Sequence, residues 1–303
     1  MIMTNRKLIW KLTHPRSLFL SFLYYTAPMW PDALYLRLKF RLRMNYKLDL
    51  KKPTTFNEKL QWLKLYNRRP EYTKMVDKVD VKEYVASIIG SEYIIPTIAI
   101  YDKVEQIDFE KLPNQFVLKC THDSGGVVIC KDKSKLDIRK TERNLKKALK
   151  QSYYYQNREW PYKHVPRRII CEEYMSDNGK DLVDYKIHCF DGIPKVILVC
   201  KNRYKKTGLT EDFFSDKWAH LTLKRPNHPN SSEIIAAPKE LNKILELSCK
   251  LSKNLLFIRT DFYIINSKVY FGELTFFPST GMTAFYPDTW DKVFGDWITV
   301  NSI

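Results

Sequence analysis

The sequence predicts an α+β fold, on three observations. Apolar residues recur at helical spacing in some segments and form short strand-like runs in others, so both element types are present. The two types mix without a regular βαβ alternation, which argues against a parallel doubly wound sheet. Composition is that of a packed protein: 44% hydrophobic and 28% charged among 303 residues, with 9 Gly and 15 Pro, which excludes wholesale disorder and collagen-like or low-complexity chains. At ~100–200 residues per domain, this length suits one large or two small domains.

Taken in order, residues 1–70 read as a basic, helical extension. Residues 17–30 are apolar and aromatic but only 14 long, whereas a membrane span needs ~20, and no small-residue cleavage site follows. Around them, basic residues from Arg6 to Lys52 are opposed only by Asp32 and Asp49. Two readings stand: a solvated basic face, or a patch that rests on an anionic membrane surface or a lipid-linked substrate. Residues 54–66 read as a helix, with Thr54 or Thr55 as cap, Glu58 in the first turn, and Phe56, Leu60, Leu63 and Tyr66 as the core stripe. A single further helix is expected over 72–89, stopping at Gly90, and 94–100 is a β-rich run interrupted by Pro96.

Strands are expected at 116–120 and 127–130, a basic helix at 138–151, and a strand at 168–175. Residues 184–189 and 195–200 form a hairpin about Asp191-Gly192. Residues 201–233, polar and rich in Lys, Asn, Pro and His, read as a long surface loop. A helix over 238–254 precedes two strands, 257–265 and 268–276, joined at Asn266-Ser267. No internal repeat is evident. The six cysteines contain no CxxC pair, so a zinc ribbon is not indicated and buried reduced thiols of a cytoplasmic protein are expected.

Fifty-one Lys+Arg against 34 Asp+Glu give a net charge of +17, which favours an anionic partner. Aromatics at 14% bring single-stranded nucleic acid into view, but they fall mostly inside apolar runs, where they read as core.

The last hairpin makes a geometric prediction. With a three-residue connection, Asn266-Ser267-Lys268, Asp261 stands directly opposite Glu273 on one sheet face; a two-residue turn would put them on opposite faces. Opposed, half-buried carboxylates repel unless a cation lies between them. Magnesium held by carboxylates and substrate phosphates would resolve this, and so would Arg259 or a lysine paired with them structurally.

Upstream, Lys119 ends a strand and Ser124-Gly125-Gly126 follow in the turn, a pattern that serves either a plain glycine hairpin or a phosphate cradle. Neither GxxxxGK[ST] nor GxGxxG occurs. Glu172-Glu173 end a strand whose carboxylates could accept from an amino group or a ribose hydroxyl, and Asp184 and Lys186 alternate onto one face. His122 and His188 read as hydrogen-bonded structural residues.

In this order, with Val76-Asp77-Lys78 before a helix, the pieces resemble the ATP-grasp superfamily. More closely, they are similar to the TupA-like ATP-grasp family of bacterial surface-polysaccharide clusters. The stretches carrying the resemblance are TFNEKLQWLKLYNRRPEYTKMVDK, LPNQFVLKCTHDSGG, YYYQNREWPYK, IICEEY, DYKIHCFDGIPK and IRTDFYIINSKVYFGELTFFPSTG, from about residue 54 to the end.

The resemblance implies two α+β lobes, 71–176 and 177–303, clamping Mg-ATP behind the 1–70 extension. It implies phosphate contacts from Lys78 and Lys119, and a loop of Ser124, Gly125 and Gly126 over the phosphates. Glu172, Glu173 and Met175 would form the adenine hinge, Asp184 and Lys186 would face ribose or phosphates, and Arg259 would face the reacting group. Asp261 and Glu273 would hold magnesium, with Thr275 where superfamily members usually carry Asn. The superfamily's usual N-terminal Rossmann-like domain has no counterpart in the pattern of residues 1–70.

The implied reaction is carboxylate–amine ligation through an acylphosphate, joining an amino acid or amine to a uronic acid of an anionic or lipid-linked polymer. The implied setting is the cytoplasm, with peripheral contact at the inner membrane surface. A glycosyltransferase of the same pathway is the competing reading, but no Asp-x-Asp occurs. Nucleic-acid binding would explain the charge and neither the hairpin nor the glycine loop, so no nucleic-acid partner is expected.

Overall fold

A computed structural model describes residues 15–123, 125–177, 182–203 and 208–301. Ser124 and residues 1–14, on which part of the sequence reading falls, lie outside the described residues.

Two antiparallel sheets carry the architecture. The first contains β1 (Thr97–Tyr101), β2 (Phe116–Cys120), β3 (Val127–Cys130) and β4 (Ile169–Glu173), in the order β1-β4-β2-β3. The second contains β5 (Asp184–Phe190), β6 (Ile193–Lys201), β7 (Thr210–Ser215), β8 (Phe257–Ile265) and β9 (Lys268–Thr275), in the order β7-β6-β5-β8-β9. The fold is therefore α+β, as the mixed patterning predicts.

The helices are α1 (Pro15–Tyr25), α2 (Asp32–Met44), α3 (Phe56–Tyr66), α4 (Glu71–Val76), α5 (Asp80–Ile89), α6 (Ile138–Leu149), α7 (Tyr153–Asn157), α8 (Leu241–Ser252) and α9 (Thr289–Asp296). Helix α3 starts where its cap dictates: the Thr55 hydroxyl accepts from Glu58 N at 3.2 Å, and the Glu58 carboxylate accepts from Thr55 N at 3.2 Å. Its first residue, Phe56, inserts among the rings of Phe190, Phe257, Phe285 and Phe294. Helices α3, α4, α5, α8 and α9 thus share one large core with the second sheet. A smaller core lies between the first sheet and α6, built on Phe116, Leu118, Leu145 and Ile169.

Three expectations need correction. The helix over 72–89 is two helices, because Asp77 is extended (φ −69, ψ 121) and its carboxylate accepts from Val79 N at 2.8 Å and Arg168 Nη2 at 2.7 Å. Such a side-chain-to-backbone bond competes with the helical ladder. The polar stretch 201–233 contains strand β7, which pairs with β6. Five cysteines are buried, but Cys249 is exposed.

The last hairpin reaches its pairing by another route. Asn266 (φ 50) and Ser267 (φ 59) form a two-residue left-handed turn, with Ile265 opposite Lys268. The register then shifts between Phe262–Phe271 and Asp261–Glu273, leaving Gly272 as the extra residue of a bulge. The bulge restores what the short turn would remove, and Asp261 stands opposite Glu273. A Cβ on Gly272 would lie 3.1 Å from Asp261 O and 3.1 Å from Tyr263 Cε2, so a larger residue fits poorly there.

Candidate active site

A cavity of about 590 Å³ opens between the two sheets. Strand parity selects the residues that face it. On β2, Phe116, Leu118 and Cys120 are buried, while Val117 and Lys119 point into the cavity. On β5, Asp184 and Lys186 share the cleft face, and on β8 so do Arg259, Asp261 and Tyr263, while Thr260 turns back to bond Ser248 of α8 at 2.8 Å. Ile95, Val117, Ile129, Met175, Leu182 and Leu198 add apolar wall, enough to accept a flat ring system.

The charged floor is a continuous network. Arg259 grips Asp261 with two bonds, Nε–Oδ1 and Nη2–Oδ2, both 2.7 Å, and reaches Glu273 Oε1 at 2.9 Å and Thr275 Oγ1 at 3.0 Å. Lys186 Nζ lies 2.5 Å from Asp261 Oδ2, and Arg203 holds Asp184 at 2.9 Å. The repulsion between Asp261 and Glu273 is thus answered by Arg259 and Lys186. Partial desolvation in the cleft opposes a charge on Glu273, yet Lys186, Arg259 and Lys78 outweigh it and pull its carboxyl down to about 2. Burial wins at Asp261, only 2% exposed, whose pKa is raised despite Arg259 and Lys186.

Among the described residues, no group of three or more acidic, His or Cys side chains converges to cage a metal ion. Asp261 and Glu273 instead form a two-carboxylate edge, and Glu273 keeps half its side chain exposed. Beside phosphates magnesium needs only one or two carboxylates, and these two would serve once the ion displaced the contacts that Arg259 and Lys186 make to Asp261 and that Arg259 makes to Glu273 Oε1. Thr275 does not line the cavity; its hydroxyl donates to Glu273 Oε1 at 3.2 Å and so orients that carboxylate.

Across the cleft, Glu172 takes Lys119 and Lys82, each at 2.5 Å, so its carboxylate positions lysines and is not left open toward a base. Burial acts against its charge, but the two lysines win and its pKa is lowered. Glu173 and Met175 line the same wall. Lys78 also lines the cavity and donates to Cys120 O at 2.8 Å and to Asp123 O, which ties the α4–α5 break to the turn after β2.

Gly125 and Gly126 face a second cavity, of about 380 Å³, that also touches Asp123, Lys147 and Gln156. Their N–H groups donate to Asp123 Oδ1 at 3.3 and 3.1 Å, so a carboxylate occupies the backbone cradle. The histidines are structural in place: His122 Nε2 lies 3.1 Å from Gln151 O, and His188 is buried against Phe213, Phe257 and Phe294.

Sequence reasoning passed over Lys82, Asp123, Arg203, Glu211 and Arg225, all of which line the main cavity. Lys82 lies in the first turn of α5, four residues after Lys78, which itself precedes the helix. Arg203, Glu211 and Arg225 lie in the polar stretch, where no periodicity marks them. Arg225 Nη1 is 3.5 Å from Glu211 Oε1, while Arg225 Nε and Glu211 Oε2 have no hydrogen-bond partner among the described residues.

Residues 58–299 match the family described as TupA-like ATPgrasp. The chain belongs to the TupA-like ATP-grasp family. Among solved structures, it is similar to D-alanine–D-alanine ligase from Helicobacter pylori, with 14% identity over 80% of this chain and 69% of that one, at a TM-score of 0.42. The same ligase from Bacillus anthracis, complexed with ATP, gives 19% identity over 66% and 54%, at 0.37. A biotin carboxylase domain from Hydrogenobacter thermophilus, solved with MgADP, ADP and bicarbonate, gives 16% over 75% and 46%, at 0.39. The chain therefore spans about half to two thirds of the length of these enzymes. No curated protein matches it.

Proposed function

We propose that this member of the TupA-like family is an ATP-dependent carboxylate–amine ligase of bacterial surface-polysaccharide synthesis. It would join an amino acid or amine to a uronic acid. One observation carries the reading: a single cavity gathers Lys78, Lys119, Lys186 and Arg259 on the same ground as the Asp261–Glu273 edge and an apolar wall. An apolar slot beside a cluster of cations suits a nucleotide, base at one end and phosphates at the other.

In the proposed reaction the carboxylate oxygen attacks the γ-phosphorus, the bond to the β-phosphate oxygen breaks, and ADP leaves. The amine nitrogen then attacks the acyl carbon, phosphate departs, and the amine loses its proton. Lys78 and Lys119 would bind phosphate oxygens, and Arg259 would face the charge that develops on the transferred group. Asp261 and Glu273 would hold magnesium, which when bound neutralises and aligns phosphate oxygens. No Cys or Ser nucleophile is required. The +17 charge supports an anionic polysaccharide or lipid-linked sugar as acceptor.

Thermal unfolding with and without Mg-ATP tests the reading. A ligand at 100 times its Kd adds ~2.7 kcal/mol, and each kcal/mol moves the midpoint by ~2–4 °C for a chain of this size. A magnesium-dependent rise, lost in Lys119→Ala and Glu273→Ala, is the expected result, followed by phosphate release with a uronic acid and an amino acid. Stabilisation by a sugar nucleotide and none by ATP would replace the ligase with a glycosyltransferase.

A further inference from the structure

The N-terminal helices carry an apolar face on the outside of the molecule. Helix α1 buries Leu23 against α2, together with Ala27 and Tyr35. Its opposite side exposes Leu18 (42%), Phe22 (49%), Tyr25 (68%) and, in the turn beyond, Met29 (81%). Positions 18, 22 and 25 fall on one helical stripe of α1, and Met29 is exposed in the turn that follows. Phe19 and Tyr24 of the same helix and Leu34 of α2 are also exposed, whereas no other helix among the described residues exposes more than one large hydrophobic.

The exposed charge of α2 and of the segment after it is mostly positive. Arg37 and Arg41 follow Leu34 at helical spacing and are exposed, as are Lys47, Lys51 and Lys52. The acids of this segment are committed elsewhere. Asp32 pairs with Arg68 at 2.7 Å and Arg158 at 2.9 Å, and Asp49 accepts from the backbone of Lys51 and Lys52.

We propose that this face seats the protein in the headgroup region of an anionic lipid surface, with α1 lying in the plane of the interface. A lipid surface satisfies both halves of the pattern, the aromatic and aliphatic band and the basic flank. A second copy of the chain in a two-fold contact would present the same basic residues from both sides of the interface, like charge facing like. A soluble polyanion would meet the arginines and leave Leu18 and Met29 in water. No helix among the described residues is long and apolar enough to cross a membrane. The docked face is fixed to the rest of the molecule, because Tyr35 Oη donates to Gln156 O at 2.9 Å and Lys39 Nζ to Asn157 Oδ1 at 2.7 Å, beside the second cavity. The inference stands independently of the ligase reading.

Co-sedimentation of the full chain with vesicles tests it, using phosphatidylcholine alone or mixed with phosphatidylglycerol, at low and high salt. The double variants are Phe22→Ser/Tyr25→Ser and Arg37→Glu/Arg41→Glu; all four side chains are exposed, so unchanged thermal midpoints will confirm folding. The expected result is binding to the anionic vesicles, weakened by salt and reduced on the order of tenfold or more in each variant. Absence of binding, equal binding to neutral vesicles, or an unaffected Phe22→Ser/Tyr25→Ser variant overturns the proposal. So does a concentration-dependent dimer that this variant abolishes, or binding to a soluble anionic polysaccharide that depends on the same residues and prevents vesicle binding.

Discussion

At Glu172 one buried carboxylate holds two lysines that face the cleft, and its ionisation is tied to the fold. Its side chain is 6% exposed, and Lys82 and Lys119 hold its pKa below the ordinary carboxylate value against the effect of burial. A lowered folded pKa means that the unfolded chain binds the proton more readily. The charged cluster therefore adds stability above the ordinary carboxylate range, and that stability is lost as pH falls from this range through the lower folded value. Glu172→Gln should lower stability at neutral pH by about 1–3 kcal/mol, the worth of charged hydrogen bonds to a buried group. Its midpoint should approach that of the parent as acid protonates Glu172 in the latter, which thermal melts across pH will show. The cleft lysine Lys119 was legible in the sequence because it ends an apolar strand before two glycines. Its restraint by Glu172 was not, since the contact joins β2 to β4 across intervening chain with no fixed spacing.

Among the elements, the last hairpin shows what counting residues can and cannot resolve. Opposition of Asp261 and Glu273 needs one odd residue between the two arms. It can sit in the turn or in the ladder, and the pattern of side chains leaves both open. The structure puts it at Gly272, where a side chain meets Asp261 O and the Tyr263 ring. Gly272→Val should strain the bulge, cost about 1–3 kcal/mol as overpacking does, and diminish any Mg-ATP-induced stabilisation, both read from thermal melts.

The turn after β2 makes a separate prediction. Asp123 accepts from Gly125 and Gly126 N–H groups, so a phosphate seated there has to displace a carboxylate. Asp123→Ala should tighten ATP binding several-fold, about 1 kcal/mol, in a calorimetric titration. An unchanged affinity would show that these amides do not meet the phosphates. The break at Asp77 escaped the sequence reading for a related reason. Apolar periodicity runs on through Val76, Val81 and Val85, while the competing bond from Asp77 to Val79 N is local polar chemistry that periodicity does not report.

For the whole molecule, the question is how two sheets with separate cores act on one ligand. Residues 1–70 share a basic composition, yet Phe56 of α3 within them is 2% exposed in the large core, as its helical stripe predicts. Composition follows surface chemistry; the core follows the stripe of Phe56, Leu60 and Leu63, and here the stripe is the better guide. The first sheet depends on its smaller core, in which Leu145 of α6 is 1% exposed. It is joined to the helices of the large core by Arg168–Asp77, Lys82–Glu172 and Lys78–Cys120 O, and of these residues Lys78, Lys82 and Glu172 line the cleft. Leu145→Ala should cost about 2–5 kcal/mol, and the loss falls on the first sheet alone. Calorimetry of this variant should show an early transition ahead of the main one, because the large core does not share the cavity. In the proposed function a nucleotide would be held by Lys119 on one sheet and by Arg259 and Glu273 on the other, and would then bind only when both are folded. Mg-ATP should therefore move the early transition upward and merge it with the later one. Two transitions that stay apart at saturating Mg-ATP would mean that the ligand rests on one sheet, and the clamp between them would have to be abandoned.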